Sequence, residues 1–190
     1  SINFSMTSLF TTGGIRGNEK SVDKFLPRSF NMGIKKEAFD DVKGFSDIRQ
    51  YGEDLDLSYK LFFNGKSSAL IPKAKVYHKR RTNLVHFLKQ MIKSGKGRRF
   101  LDVKFKGVFR LFHLLPSLFF IGIIIGLILF IFDYELSKSI QTLYGSYFLI
   151  IFLSSSYINV NPFIGFISVI TTLTQFIGYG IGYIMALFEN

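Results

Sequence analysis

The chain has 190 residues, a formal net charge of +11 and no cysteine. The lack of cysteine excludes disulfide bonds, Cys-ligated zinc and a cysteine nucleophile. The opening residues, SINFSMTSLF, lack the basic start and long apolar run of a secretory signal, and the chain does not begin with Met. We therefore expect the sequence to be a fragment of a longer protein.

Charge is distributed unevenly along the chain. Residues 1–110 hold 23 of the 24 Lys and Arg and 10 of the 13 Asp and Glu, whereas residues 111–190 hold one basic and three acidic residues. The first part is strongly basic and the second is almost uncharged, which indicates that the first faces water and the second faces lipid. We predict three regions, at 1–82, 83–112 and 113–190.

The first region is predicted to be a small α/β unit. Residues 1–26, which include TTGGIRGN, have the pattern of a strand, a loop and short turns. A short helix is predicted from Lys35 to Val42. The sequences SSALIP, residues 67–72, and AKVYH, residues 74–78, are predicted to be short strands.

The stretch YGEDLDLSYKL has three carboxylates within four residues, Glu53, Asp54 and Asp56. An amphipathic helix is predicted to start near Glu53 and to stop at Gly65. Acidic residues in the first turn complement the positive end of the helix dipole, so a solvated helix start would explain them. A carboxylate held ionised at a helix start is also a suitable general base. The spacing leaves both interpretations open.

Residues 83–112 combine basic and apolar side chains. The pattern predicts amphipathic helices, interrupted at Gly95 and Gly97, that lie in the membrane surface with basic side chains reaching lipid phosphates. Nucleic-acid binding is the rival explanation for a basic segment. We disfavour it because the basic residues adjoin an apolar run and no recognised nucleic-acid motif is present.

The last region contains three apolar stretches. Leu114–Phe132 is uncharged over 19 residues, close to the roughly 20 that cross a bilayer core as a helix. After the polar piece 133–142, Leu143–Ile158 is shorter and carries Ser and Tyr, whereas Pro162–Phe188 is uncharged over 27 residues. We predict two or three transmembrane helices. Gln175 is expected to bond another helix.

The distribution of positive charge predicts the orientation in the membrane. Residues 73–110 contain 13 Lys or Arg, whereas residues 133–142 contain only Lys138. Basic flanks stay in the cytoplasm, so the first two regions are predicted to be cytoplasmic and the protein to be an integral membrane protein. A transporter is disfavoured because the spans hold no ionisable residue near their middle.

The segment LPRSFNMGIKKEAFDDVKGFSDIRQYGEDLDLSYKLFFNGKSSALIPKAKVYHKRR resembles the acceptor-side half of inverting, GT-A-type family-two glycosyltransferases. The elements FNMGIKKEAF, KGF, GEDLDLSYKL, NGK and VYH carry the resemblance, across roughly residues 8–100. Each element is weak alone, and their order together is specific. The resemblance implies an α/β fold and transfer of a sugar from a nucleotide-sugar donor to an acceptor with inversion.

The resemblance also implies roles for the acidic residues. Asp54 matches the catalytic base, and Glu53 beside it is expected to orient the acceptor or the base. Asp56 points roughly 200° away from Asp54 on a helical wheel, so we expect it to be structural.

Further binding residues follow from the same resemblance. A divalent metal, Mg or Mn, is expected in the complete enzyme to neutralise the donor diphosphate. His78 matches a histidine near the diphosphate or metal, and a strand-end histidine bonded to backbone is the alternative. The residues expected to contact substrate are Asn31, Met32, Arg16, Arg80, Arg81, Gln90 and Arg98.

Two elements of such enzymes have no equivalent in this sequence. The nucleotide-binding half with its metal-holding Asp-x-Asp element is missing, so we expect the chain alone to be inactive. The Gln-x-x-Arg-Trp element of processive members is also missing, and the chain has no Trp. This favours single addition to a lipid-linked or envelope-glycan acceptor, in a bacterial or archaeal inner membrane. The alternative is a non-catalytic membrane protein or remnant that binds anionic lipid or a partner through its basic residues.

Overall fold

The computed structural model describes residues 1–12, 26–27, 31–46, 52–71, 73–74, 76–77 and 80–189. Helices account for all the regular secondary structure of these residues. In chain order they are α1 (Ile2–Thr7), α2 (Leu9–Thr12), α3 (Lys36–Asp41), α4 (Glu53–Phe63), α5 (Leu84–Lys104), a 3₁₀ helix (Leu111–Leu114), α6 (Leu115–Phe132), α7 (Tyr134–Asn159) and α8 (Pro162–Met185).

The expectation of an α/β unit is wrong, because the described part of the chain has no strand. Residues 67–71, 73–74 and 76–77, which cover most of the two predicted strands, are in neither helix nor strand, and residues 1–12 form α1 and α2. A strand requires a neighbouring strand to take up its backbone hydrogen bonds. The apolar run 69–71 has no such neighbour among the described residues, so its composition alone does not make it a strand.

The acidic helix α4 has defined signals at both ends, as the sequence predicted. It follows Gly52, whose φ of 80° lies in the left-handed region that favours glycine. At the other end Gly65 also has a positive φ, and the backbone N–H groups of Gly65 and Lys66 bond the carbonyls of Phe62 and Leu61. This pair of bonds is a Schellman motif, which stops the helix at the position expected for Gly65.

The predicted interruption at Gly95 and Gly97 is wrong, because α5 continues through both residues. The helix begins at Asn83, whose side chain accepts hydrogen bonds from the N–H groups of Val85 and His86. Both glycines are buried, and a Cβ on Gly95 would collide with the backbone of α8 at Tyr179 and Tyr183. Gly95 therefore permits a close helix crossing, and neither glycine breaks the helix.

The long helix α7 contacts α6 with its first half and α8 with its second half. Ser137 Oγ donates to the carbonyl of Gly126 at 2.8 Å, and Tyr144 Oη donates to the carbonyl of Phe119 at 2.8 Å. Further along, Ser155 Oγ donates to Ser168 Oγ of α8 at 2.7 Å. The polar piece 133–142, predicted to connect two spans, thus forms the first turns of α7 instead.

Two helices are long and apolar enough to cross a membrane, Leu111–Phe132 and Pro162–Met185. They correspond to the first and third predicted spans. The middle one, Leu143–Ile158, lies within α7, which also carries Glu135, Lys138 and many Ser residues and is not among the helices that meet this criterion. The expected bond from Gln175 to another helix is not seen, because its Oε1 finds no partner within the described part of the chain.

Candidate functional site

Asp54 and Glu53 occupy the first turn of α4. Glu53 is exposed, and Asp54 is partly buried. The Asp54 carboxylate accepts a hydrogen bond from the backbone N–H of Leu55 at 2.7 Å. Unpaired N–H groups at a helix start give that end a partial positive charge, which stabilises an ionised carboxylate there. The partly exposed position of Asp54 in the first turn of a helix therefore suits the role of a proton acceptor.

Asp56, two residues further along, has a different environment. Its side chain is 0% exposed, and its two oxygens are bonded to Ser46 Oγ at 2.6 Å and to Lys104 Nζ at 2.5 Å. An ionised carboxylate can be buried in this way only when a charge and hydrogen bonds compensate for the lost hydration. This agrees with the expectation that Asp56 is structural.

Helix α4 docks on the last turns of α5. Arg98 Nη1 donates to Tyr59 Oη at 3.2 Å, and the ring of Phe63 stacks on Phe105 at 5.5 Å between centroids. On the other side Lys60 Nζ donates to the carbonyl of Gly44 at 2.5 Å, which joins α4 to the turn after α3. The acidic helix is thus linked both to the end of α5 and to the turn after α3.

Arg98 keeps its positive charge in this partly buried position. Burial alone would lower its pKa, but the hydrogen bond with Tyr59 and the electrostatic interactions with Tyr179 and Asp102 outweigh that effect and raise the pKa above its ordinary value. Arg98, one of the predicted substrate-binding residues, therefore lies on α5 and contacts α4, the helix that carries Asp54, through Tyr59.

Arg80 lies at the other end of α5. Its Nε donates to Asn3 Oδ1 at 2.8 Å, and its Nη1 approaches Met6 Sδ at 3.3 Å. Partial burial lowers its pKa. Met6 packs with Phe87 and Met91 of α5. Phe87 precedes Arg98, at which α4 contacts α5, by about ten residues, and ten residues span roughly 15 Å along a helix. Arg80 and Asp54 are therefore not brought together.

The remaining predicted binding residues are spread over the molecule. Asn31 and Arg81 are exposed, whereas Met32 and Gln90 are partly buried, with Gln90 in the first half of α5. Arg16 and His78 lie outside the described residues. Their roles as substrate or metal ligands stay predictions.

The described residues do not assemble a metal site. Among them no group of three or more His, Asp or Glu is placed to hold an ion. Three acids lie in the first turn of α4, but Asp56 is already bonded to Lys104 and Ser46. The acids of this helix therefore do not fit a resident metal.

A second buried polar cluster was not expected from the sequence. The Asp102 carboxylate, with its side chain 0% exposed, lies 3.1 Å from Nδ1 of the buried His113 and accepts from Tyr183 Oη of α8 at 3.2 Å. The buried Nε of Arg99 finds no partner among the described residues. No sequence signal pointed to this cluster, because its members are up to 81 residues apart.

The family model of glycosyl transferase family group 2 matches residues 29–178, well over half of the chain, and the chain therefore belongs to that family. The match includes α4 with both of its Asp residues. No curated protein and no solved structure matches the chain. Membership confirms the resemblance found in the sequence and makes the chain a glycosyltransferase, with a nucleotide-sugar donor and an acceptor as its substrates.

Proposed function

We propose that the chain is the acceptor-side, membrane-anchored part of an inverting glycosyltransferase in which Asp54 is the general base. One observation carries the assignment: of the two Asp residues of α4, Asp56 is fully buried in an ion pair with Lys104, whereas Asp54 is partly exposed in the first turn and accepts the N–H of Leu55. The family match over residues 29–178 supplies the reaction class.

In the proposed reaction the acceptor hydroxyl attacks the anomeric carbon of the donor sugar. The Asp54 carboxylate takes the hydroxyl proton as the new carbon–oxygen bond forms. The bond from the anomeric carbon to the diphosphate oxygen breaks on the opposite face, and its electron pair leaves with the nucleoside diphosphate. A single displacement of this kind inverts the anomeric centre. Glu53, exposed beside Asp54, is proposed to orient the acceptor.

The donor side is proposed to need groups beyond those of α4. Arg98 is the cation nearest to α4 among the expected substrate ligands, and Asn31, Met32, Arg80, Arg81 and Gln90 are proposed to contact substrate in the assembled site. A nucleotide-binding half is proposed to complete that site, and a divalent metal is proposed to belong to it. This chain alone is then proposed to be inactive.

The membrane part is proposed to anchor the site next to a lipid-linked or envelope-glycan acceptor. Two helices of sufficient length and hydropathy support anchoring. Exposed Lys89 and Lys93 on α5, together with exposed Leu84 and Val85, support contact with anionic lipid headgroups. The basic flank is proposed to face the cytoplasm.

Replacing the proposed base tests the assignment. Asp54→Asn in the complete enzyme is expected to reduce sugar transfer by about 10²-fold or more, since general-base catalysis contributes about 10²–10⁴-fold. Asp40→Asn, at an exposed acid of α3, is the matched control and should leave transfer unchanged. Helicity and donor binding should be intact in both variants. Full activity of Asp54→Asn would show that another group is the base.

Donor binding separates the catalytic proposal from a non-catalytic membrane protein. Calorimetry of the complete enzyme with manganese and a panel of nucleotide sugars is expected to identify one donor. The same titration of this chain alone is expected to show no binding. Failure of the complete enzyme to bind any donor would favour a non-catalytic role through the basic surface, and binding by the chain alone would show that residues 1–110 hold a donor site.

A further inference from the structure

Helix α5 connects the helix of the proposed base to the apolar helix α8. On one side Lys104 Nζ lies 2.5 Å from Asp56 Oδ1 of α4. Two residues earlier, Asp102 accepts a hydrogen bond from Tyr183 of α8 at 3.2 Å. Side chains two residues apart point roughly 200° from each other around a helix. The last turn of α5 therefore contacts α4 and α8 with opposite faces.

Arg98, one turn earlier, links the two neighbouring helices through its charge. Its guanidinium donates to Tyr59 of α4 at 3.2 Å and interacts electrostatically with Tyr179 of α8. On the α8 side, the contact is reinforced by glycines: a Cβ on Gly182 would lie 2.8 Å from the carbonyl carbon of Ile92. The connection from α4 to α8 therefore passes through a tightly packed helix crossing.

The structure assigns Lys104 and Asp102 as positioning residues of the transfer reaction. Lys104 fixes the rotation of α4 through Asp56, Asp102 fixes α5 on α8 through Tyr183, and together they hold Asp54 at a set position relative to the membrane helix. This inference rests on the proposed function, because it assumes that Asp54 is the base. Neither residue touches the reacting atoms in this scheme.

The electrostatics of Asp56 explain why Lys104 would affect position as well as stability. Asp56 is 0% exposed, and without Lys104 its charge keeps the hydroxyl of Ser46 as its one hydrogen-bond partner among the described side chains. A buried charge that loses its partner forces its surroundings to rearrange towards water. Rotation of α4 would be the direct way to expose Asp56, and it would move Asp54. A displacement of 1 Å can cost about 10²-fold in rate.

The kinetic test compares variants of Lys104 in the complete enzyme. Lys104→Met is expected to lower kcat by about 10²-fold with little change in the KM for the donor, because the substrate still binds while the base is misplaced. Lys104→Arg keeps the charge and is expected to recover most of kcat. Lys106→Met is the matched control, because Lys106 is exposed just beyond the helix, and it should leave kcat unchanged.

A distance measurement tests the same link without using activity. The chain has no Cys, so two introduced cysteines, Phe62→Cys on α4 and Met185→Cys on α8, can carry spin labels at exposed positions. The distance distribution between the labels is expected to broaden in Lys104→Met and in Tyr183→Phe, and to stay narrow in Lys106→Met. An unchanged distribution in both test variants would overturn the inference, whatever happens to catalysis.

The two measurements also separate this inference from the proposed function. A broadened distribution together with unchanged kcat in Lys104→Met would show that the ion pair is only structural and would overturn the positioning role. Activity retained in Asp54→Asn would instead overturn the base assignment. In that case the distances between the spin labels are expected to be unchanged, because Lys104 and Asp56 are intact. The proposal is supported only when kcat falls, Lys104→Arg restores it and the distances broaden.

Discussion

Helices α6 and α8 look alike in sequence but differ in how the fold uses them. Both are long and apolar enough to cross a membrane. In the most apolar stretch of each, 11% of the residues are buried for the segment that contains α6, against 39% for α8. Large apolar side chains of α6, such as Leu127, Ile128 and Ile131, remain exposed. Hydropathy therefore identifies both helices without separating a helix with an exposed apolar face from one that packs within the fold.

Small residues make the difference between the two helices. The buried positions of α8 are mostly glycine or small hydroxyl residues, and two of its glycines lie against backbone: Gly182 meets Ile92 of α5, and Gly180 meets Pro116 of α6. The glycines of α6 meet side chains, Tyr144 at Gly122 and Ile140 at Gly126. Small residues let helix backbones approach, which is how helices associate in lipid.

The largest expected effect comes from enlarging a glycine at the α5–α8 crossing. Gly182→Leu would place a Cβ in collision with the carbonyl oxygen of Ile92 and 2.8 Å from its carbonyl carbon, and this backbone cannot move as a side chain can. Overpacking typically costs 1–3 kcal/mol, and we expect about 3 kcal/mol or more here because backbone is the obstacle. Thermal unfolding in detergent, followed by circular dichroism, measures the loss.

Gly145→Leu in α7 is the control for this prediction. Among the described residues nothing lies within 4 Å of a Cβ at Gly145. Exchanging glycine for leucine in an open helix position is expected to be neutral or to stabilise by up to about 1 kcal/mol. Equal losses for the two variants would contradict the view that α8 packs closely against α5 through its glycines.

The next largest expected effect comes from introducing a charged side chain on the exposed face of α6. Ile125 is 45% exposed near the middle of the helix. If this face contacts lipid, Ile125→Lys is expected to cost about 2.5–3.5 kcal/mol of insertion free energy. A single introduced cysteine, Glu135→Cys, reports insertion through labelling with an impermeant maleimide in sealed vesicles. Ile125→Leu is the control, and equal labelling of the two variants would show that this face does not lie in hydrocarbon.

The sequence predicted the helices better than the fold. Both ends of α4 and the two apolar helices followed from local signals, namely periodicity, hydropathy and the turn at Gly65. The strands did not, because a run such as 69–71 becomes a strand only through a distant partner. The predicted interruption of the helix at Gly95 was also wrong. Glycine disfavours an isolated helix, but here the packing gained by the close approach of α8 outweighs that local preference.

The candidate site was predictable only in part, for a similar reason. Resemblance pointed to Asp54, and the helical wheel separated it from Asp56. The partners of Asp56 were not predictable, because Lys104 lies 48 residues away and any of several lysines in the basic segment has the same chemistry. The same holds for Asp102 and Tyr183, which contact each other only because two helices cross.

The smallest expected effect separates two contributions of the small hydroxyl residues of α8. One is their small size, which permits close packing, and the other is the hydrogen bond that the hydroxyl group makes to a neighbouring helix. Ser168 is 0% exposed and its Oγ accepts from Ser155 Oγ of α7 while donating to the carbonyl of Ile164 at 2.8 Å. Ser146→Ala is the control, because the exposed Ser146 makes the same bond within its own helix, at 2.8 Å to the carbonyl of Thr142. Ser168→Ala is expected to cost about 0.6 kcal/mol more than the control in thermal unfolding, the average for a hydrogen bond between membrane helices. Equal stability of the two variants would mean that small size alone joins α8 to α7, so that the hydroxyl bond adds nothing to the packing.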